Sequence, residues 1–205
     1  AARRRANPGQ SCIAAKRFLV PERIAEPFTR LFLGRMLARA VGDPLDESTD
    51  VGPLARSDLR DELHGQVADS VAAGARLLAG GEVPPGPGSF YPVTVLSGVA
   101  KGMRASREEL FGPVAAIITV RDEDEAVKVA NETSFGLGAA VFSRDAERAE
   151  RIAAERLDAG SCFVNAFVKS DPRLPFGGIK ESGYGRELSV FGIREFVNVK
   201  SVYVA

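Results

Sequence analysis

The chain has 205 residues, 45% of them hydrophobic and 26% charged, with 27 basic and 27 acidic side chains. This length allows one sizeable core, the balanced charge argues against nucleic acid as a partner, and no apolar run reaches the ~18 residues of a membrane helix. Two cysteines are too few for a disulfide framework and the N-terminus does not resemble a signal peptide, so we expect a cytoplasmic protein without a membrane partner.

Strands and helices alternate along the chain. An apolar strand at 17–20 is followed by a helix at 24–37, in which Pro27 predicts a kink or a late start. The other predicted elements are a helix at 56–73, strands at 75–79, 90–96 and 114–120, a helix at 122–131, a strand at 138–142, a helix at 145–157, a strand at 160–165, loop and helix at 182–196, and a half-buried strand at 198–204. This order predicts an α/β fold with a largely parallel sheet and flanking helices.

The single histidine and the second cysteine receive no catalytic role. His64 follows Leu63 in a helix whose apolar positions continue at Val67, which places the imidazole beside the buried stripe and at the surface. Cys–His and Ser–His–Asp hydrolases need a histidine base, so neither class is attractive. No Cys/His cluster has metal-ligand spacing, so we expect no metal site. Cys162 lies in the apolar run 161–164 and is predicted to be a core residue.

The other cysteine, Cys12, lies in a stretch that predicts a loop leading into a short helix. Asn7 suits the N-cap and Pro8 the first helical position. A thiol in the first turn of a helix faces unpaired backbone N–H groups and the positive end of the helix dipole, which favour the nucleophilic thiolate. Lys16 and Arg17 add positive charge on the same side of the chain. From these residues alone, Cys12 is either a reactive thiol or a small apolar residue packed at a helix start.

Three motifs follow one another along the chain. They are Asn-x-Gly-Gln-x-Cys at 7–12, Glu-x-Phe-Gly-Pro at 109–113, and Pro-Phe-Gly-Gly-Ile-Lys followed by Ser-Gly-Tyr-Gly-Arg-Glu within 175–187. In this order they resemble the motifs of the aldehyde dehydrogenase superfamily, and the resemblance covers the whole chain. The chain resembles the C-terminal catalytic part of such a protein, beginning just before the nucleophile.

The resemblance implies that a small aldehyde is oxidised to a carboxylic acid with NAD or NADP as cofactor. Cys12 would attack the carbonyl carbon, and loss of hydride would leave a thioester that water hydrolyses. Glu109 would accept hydrogen bonds from the hydroxyls of the nicotinamide ribose, and Phe111 would contact the nicotinamide ring. Without the motif, Glu109 would be interpreted as a solvated charge and Phe111 as a core aromatic.

The segment 167–174 resembles the succinate-semialdehyde dehydrogenase-like branch of the family. An acid-semialdehyde needs a cation or a hydroxyl for its distal carboxylate, and Arg173 and Ser170 are the candidates, with a surface position as the alternative for each. Phe176 is predicted to line the substrate tunnel or, alternatively, to form a structural turn with its neighbours. Ala6 stands where some relatives have an arginine, which weakens the assignment to one semialdehyde.

The same resemblance divides the chain into a catalytic domain at 1–196 and a C-terminal oligomerisation strand at 197–205, which would join the sheet of a neighbouring subunit in a homo-oligomer. The family's dinucleotide-binding domain, oxyanion asparagine and glutamate base precede the cysteine motif and have no counterpart here. We therefore expect a fragment that is inactive alone. The alternatives are an inactive fragment that acts only as a folded association module and, more weakly, a cysteine thioester hydrolase.

Overall fold

The computed structural model describes residues 9–205, and the chain divides into two compact units. The first unit ends at Val129 and the second runs from Ala130 to Ala205. Each unit has its own sheets. The domain division predicted from the sequence, 1–196 and 197–205, stays a prediction.

The first unit is built on a four-stranded mixed sheet. Its elements are β1 (Arg17–Pro21), α1 (Glu22–Leu37), α2 (Ser57–Ala72), β2 (Arg76–Ala79), β3 (Thr94–Ser97), α3 (Arg104–Arg107), β4 (Val114–Val120) and, across the unit boundary, α4 (Glu123–Asn131). The strand order is β1-β4-β3-β2. β4 is parallel to β1 and to β3, and β2 is antiparallel to β3. The predicted α/β fold with a largely parallel sheet is thereby confirmed.

The central strand β4 explains why both faces of this sheet are covered. Its sequence is almost continuously apolar, and only Thr119 is exposed. Since side chains alternate between the faces of a strand, Ile117 packs with Val20 and Val95 under α1, whereas Ile118 belongs to the core that also contains Leu63 of α2. A strand buried on both sides is typical of the middle of a parallel sheet.

Two prolines change the predicted bounds in this unit. α1 starts at Glu22 and contains Pro27, so the predicted late start is wrong. Apolar packing holds this helix, since the rings of Phe28 and Phe32 stack 5.4 Å apart and Phe32 also lies 4.6 Å from Phe18 in β1. The strand predicted at 90–96 is shorter, because Pro92 has no N–H to donate to a ladder, and β3 begins only at Thr94.

The second unit contains two small sheets. Its elements are β5 (Phe135–Gly136), β6 (Gly138–Val141), α5 (Ala146–Glu155), β7 (Ser161–Val164), β8 (Ile179–Lys180) and α6 (Ser189–Glu195). β6 and β7 are parallel, β5 and β8 are antiparallel, and α5 packs against β6 and β7. Asp145 caps α5 by accepting a hydrogen bond from the Arg148 backbone N–H at 3.0 Å.

The C-terminal segment does not form the predicted strand within the single chain. Residues 197–205 have no regular secondary structure, and Val199, Val202, Tyr203 and Val204 are 77–90% exposed. The half-buried strand predicted at 198–204 is therefore wrong for the isolated chain, because no strand within residues 9–205 pairs with its backbone. Its pairing with another chain stays a prediction. None of the helices within residues 9–205 combines the length and the apolarity needed to cross a membrane.

Candidate active site

The sheet brings two of the three sequence motifs together. The Cys12 segment directly precedes β1, and residues 109–113 directly precede β4. Because β1 and β4 are parallel neighbours, with Arg17 opposite Ala116, the segments that lead into them lie at the same edge of the sheet. They touch there: a Cβ built on Gly9, at φ +71°, would lie 1.8 Å from the Gly112 carbonyl oxygen. Only glycine allows this approach.

Cys12 lies in a turn, and the predicted helix at this position is wrong. The turn is closed by a hydrogen bond of 3.0 Å from the Ala14 N–H to the Ser11 carbonyl. The chain joins the sheet already at Lys16, whose carbonyl accepts a hydrogen bond from the Ala116 N–H of β4 at 3.0 Å. So short a stretch cannot propagate a helix. The predicted cap residues Asn7 and Pro8 lie outside the described residues, and Cys12 is a free, exposed cysteine.

Gln10 attaches this turn to the segment that leads into α2. Its Nε2 donates to the Pro53 carbonyl at 3.3 Å, and its Oε1 accepts from the Ala55 N–H at 2.9 Å. Both ends of the amide are therefore used. The sequence motif contains this glutamine, but its role was not predicted, because its partners are more than 40 residues away.

Lys16 links the turn to the second motif. Its ammonium donates to the Gly9 carbonyl and, at 3.4 Å, to the Ser11 carbonyl, and it lies 4.9 Å from the centroid of the Phe111 ring. Burial lowers the pKa of Lys16, while attraction to Glu109 and to Cys12 acts in the opposite direction. One cation therefore interacts with all three side chains that the motifs single out in this unit.

Glu109 and Phe111 are both accessible to a ligand. Leu110, between them, is fully buried and holds the segment, while Glu109 is exposed and Phe111 is 39% exposed. Gln66 of α2 fixes the backbone by donating to the Glu109 carbonyl at 3.3 Å. An acceptor-only carboxylate and an aromatic ring are thus presented from one anchored segment.

Glu108 has a different environment from Glu109. It accepts hydrogen bonds from Arg104 at 2.8 Å and from Gln66 at 3.2 Å, and it forms an ion pair with Arg107 at 2.9 Å. Burial acts to raise the pKa of Glu108, but these partners lower it below its ordinary value. Glu108 therefore holds α2 and α3 together, which leaves Glu109 as the carboxylate available to a ligand.

The candidates for the substrate carboxylate lie in the second unit. The Arg173 guanidinium forms a bidentate pair with Asp171, at 2.9 and 2.7 Å, and this pair holds the pKa of Asp171 well below its usual range. A substrate carboxylate would therefore share Arg173 with Asp171. Ser170, beside this pair, is exposed.

Phe176 lines a cleft and also belongs to the ordered C-terminal motif, and its role in the substrate tunnel stays a prediction. Its side chain, with Phe163 and Leu174, lines an open cleft of about 350 Å³ in the second unit. Its backbone exchanges two hydrogen bonds with Glu187, at 2.8 and 2.7 Å, which orders the C-terminal motif. Cys162 also faces this cleft and is half-buried, less than the predicted core position; burial raises the pKa of its thiol.

The histidine lies closer to the core than predicted. His64 is half-buried, and its Nδ1 lies 3.4 Å from the hydroxyl of Tyr91. Tyr91 is fully buried, which raises its pKa to about 12. Among residues 9–205, no three His, Cys, Asp or Glu side chains are grouped as metal ligands.

The sequence profile of the aldehyde dehydrogenase family matches residues 2–202, and the chain belongs to this family. It is 51% identical over 197 residues to the NAD(P)+ succinate semialdehyde dehydrogenase Sad of Escherichia coli (strain K12); this match covers 96% of the chain and 42% of the E. coli protein. The chain thus spans less than half the length of this relative.

Solved structures show the same relationship. The NAD-dependent aldehyde dehydrogenase of Sinorhizobium meliloti superposes with a TM-score of 0.91 at 40% identity, over 97% of this chain and 39% of that one. The betaine aldehyde dehydrogenase of Staphylococcus aureus, in complex with NAD+, superposes with a TM-score of 0.88 at 34% identity, over 93% and 38%. The fold is therefore that of the corresponding part of these enzymes.

Proposed function

We propose that this chain supplies the nucleophile and part of the nicotinamide site of an NAD(P)-dependent aldehyde dehydrogenase, with succinate semialdehyde as the substrate. The observation that carries the proposal is the contact between the Cys12 turn and the segment 109–112 at one edge of the sheet. The name of the E. coli relative supports the choice of substrate. A reducing cytoplasm is the expected compartment for the two free thiols.

In this proposal Cys12 forms the covalent bond to the substrate. Its thiolate adds to the aldehyde carbon, and the oxygen that becomes negative is held by the backbone N–H of Cys12. Within residues 9–205, no group accepts a hydrogen bond from that N–H. NAD(P)+, when bound, supplies the hydride acceptor. The resulting thioester on Cys12 is hydrolysed by water, which releases the acid and restores the thiol.

The residues of the second motif fit a nicotinamide riboside. Glu109 is an exposed carboxylate that can accept hydrogen bonds from both hydroxyls of a ribose, and Phe111 presents part of an aromatic ring from the same segment. Fixation of this segment by Leu110 and Gln66 would orient both groups before the cofactor binds. Either NAD or NADP satisfies these contacts, since both carry this riboside.

For the substrate, we assign the distal carboxylate to Ser170 and Arg173 and one wall of the site to Phe176. A hydroxyl and a guanidinium match a carboxylate in hydrogen-bonding capacity. Because Asp171 already engages both arms of the Arg173 fork, Arg173 would contribute charge and a shared hydrogen bond rather than a free bidentate clamp.

The proposal is tested with a fusion protein. The chain corresponds to about 42% of the E. coli relative, so residues 1–205 alone are expected not to reduce NAD(P)+. The upstream part of the E. coli protein, joined to this chain at the cysteine motif, should reduce NAD(P)+ with succinate semialdehyde. Cys12→Ser should abolish the activity and leave cofactor binding intact. A folded fusion that stays active with Cys12→Ser contradicts the proposal.

A second candidate function is an association module, and the exposed C-terminus favours it. Residues 198–204 carry valine and tyrosine side chains that are almost fully exposed, and their backbone pairs with none of the strands in the described part of the chain. We propose that this segment adds to the sheet of a second copy. Light scattering should then give a dimer or larger assembly that dissociates when residues 198–205 are deleted. A strict monomer before deletion rejects this candidate.

A further inference from the structure

Both the backbone and the side chain of Lys16 are fixed by hydrogen bonds. Its carbonyl accepts a hydrogen bond from the Ala116 N–H at 3.0 Å, which fixes the backbone to the central strand β4. Its side chain folds back, and the ammonium bonds the carbonyls of Gly9 and Ser11, which precede Cys12 in the turn. The side chain therefore ties the cysteine turn to the residue at which the chain joins the central strand β4.

The charge of Lys16 also has defined neighbours. Among residues 9–205, the titratable groups that interact with it are Cys12, from its own turn, and Glu109, from the segment that precedes β4. The ring of Phe111 lies under the ammonium at 4.9 Å, a distance at which a cation is attracted to an aromatic face. The half-buried position reduces screening by water, so the charge acts on these groups more strongly than a surface lysine would.

We propose, on the basis of the function proposed above, that Lys16 is a positioning residue for the nucleophile, which orients the Cys12 turn through two carbonyls and favours negative charge at the Cys12 sulfur. The turn has no helix dipole to supply positive potential, since residues 11–14 form a single turn. The ammonium supplies it instead. Because the ammonium also contacts Phe111, it fixes the position of the Cys12 turn relative to the nicotinamide-binding segment.

The second unit offers a matched control. Lys180 also donates to two backbone carbonyls, those of Asn131 at 3.0 Å and Thr133 at 3.4 Å. Lys180→Met therefore removes a lysine clamp of the same kind from a part of the chain that has no role in this proposal. Lys16→Gln keeps a donor for the carbonyls and removes the charge, whereas Lys16→Arg keeps the charge.

The test measures the rate of iodoacetamide alkylation of Cys12 in the 205-residue chain between pH 6 and pH 10, resolved by peptide mass spectrometry, with Cys162 as an internal reference. Thiolate is the reacting form, so loss of the charge should slow Cys12 at pH 7 by about fivefold in Lys16→Gln and Lys16→Met. The rates should converge as the pH rises, since a charge that acts through the thiolate fraction loses its effect at alkaline pH. Lys16→Arg should stay within about twofold of the wild type.

Two results overturn the proposal. The first is a Cys12 rate profile that is the same in Lys16→Gln and in the wild type. The second is evidence of a purely structural lysine: either Lys16→Gln slows Cys12 alkylation equally at all pH values, or Lys180→Met slows it as much as Lys16→Gln does. Either result leaves the proposed function standing if Cys12→Ser inactivates the fusion protein. Conversely, an active Cys12→Ser fusion rejects the function whatever the alkylation profile.

Discussion

Gly9→Ala is expected to displace the cysteine turn. The added Cβ would lie 1.8 Å from the Gly112 carbonyl oxygen and 2.4 Å from its carbon, well inside the 3.0 Å limit of real contacts. Relief of this overlap requires a shift of more than 1 Å at the contact between the two motifs. The φ of +71° adds about 1 kcal/mol of backbone strain for alanine. With an overpacking cost of about 1–3 kcal/mol, we expect a loss of about 2–4 kcal/mol in unfolding free energy.

Urea denaturation and Cys12 alkylation measure the two consequences. The matched control is Gly34→Ala in α1, where an added Cβ meets no atom within 4 Å. Since alanine is the better helix former, this control should raise stability by about 0.5–1 kcal/mol and leave Cys12 labelling unchanged. The reasoning is refuted if Gly9→Ala changes stability by less than about 0.5 kcal/mol and labels Cys12 at the wild-type rate.

Three further predictions concern residues that hold the candidate site in place without taking part in its chemistry. Gln10→Ala removes the hydrogen bond from the Ala55 N–H and should make the Cys12 turn more susceptible to proteolysis. Urea titrations should show a loss of about 1–2 kcal/mol in unfolding free energy. Leu63→Ala, in a core position 2% exposed, should cost about 2–5 kcal/mol, measured in the same way. Glu108 has a lowered pKa in the folded chain, so its stabilising effect is present above its ordinary pKa of 4.5 and is lost as the pH falls through the lower folded value. Thermal unfolding should therefore show Glu108→Gln less stable than the wild type at pH 7 and equally stable at acid pH; a constant difference would contradict the assignment.

Much of the first unit could be predicted because its strands have strong local signals. The apolar runs at 17–20 and 114–120 correspond to β1 and β4, and the two long helices start and end within two residues of the predicted bounds. The pairing of β1 with β4 could not be predicted, since it joins segments almost 100 residues apart. That pairing is what brings the Cys12 turn to the segment 109–113, where Gly9 meets Gly112.

Two of the wrong predictions arise because local sequence patterns do not determine which backbone partners a segment finds. The helix predicted at Cys12 is prevented by the hydrogen bond from Ala116 to the Lys16 carbonyl, which no local propensity encodes. The segment predicted as a strand at 198–204 has an alternating sequence, but it finds no partner strand among residues 9–205. The assignment of Arg173 to the substrate carboxylate stays a prediction, and in the structure Arg173 contacts the carboxylate of Asp171, two residues earlier.

The roles that the motifs assign to Cys12, Glu109 and Phe111 stay predictions, and the motifs do not indicate which residues hold these side chains in place. Glu109 rather than Glu108 was selected from the motif spacing, and the two carboxylates indeed differ, because Arg104 and Gln66 engage Glu108. Gln66 itself could not be identified, since nothing in the helix pattern of α2 distinguishes it from a solvated polar residue. It is instead 6% exposed and bonded to the second motif.

The central claim is that Cys12 carries the substrate during turnover. The fusion protein should be mixed with succinate semialdehyde and NAD+, quenched in acid within one turnover, and digested for peptide mass spectrometry. We expect a succinyl group in thioester linkage on the peptide that contains Cys12, removable by hydroxylamine. An active fusion with the acyl group on Cys162, or with no acyl group on either cysteine, contradicts it.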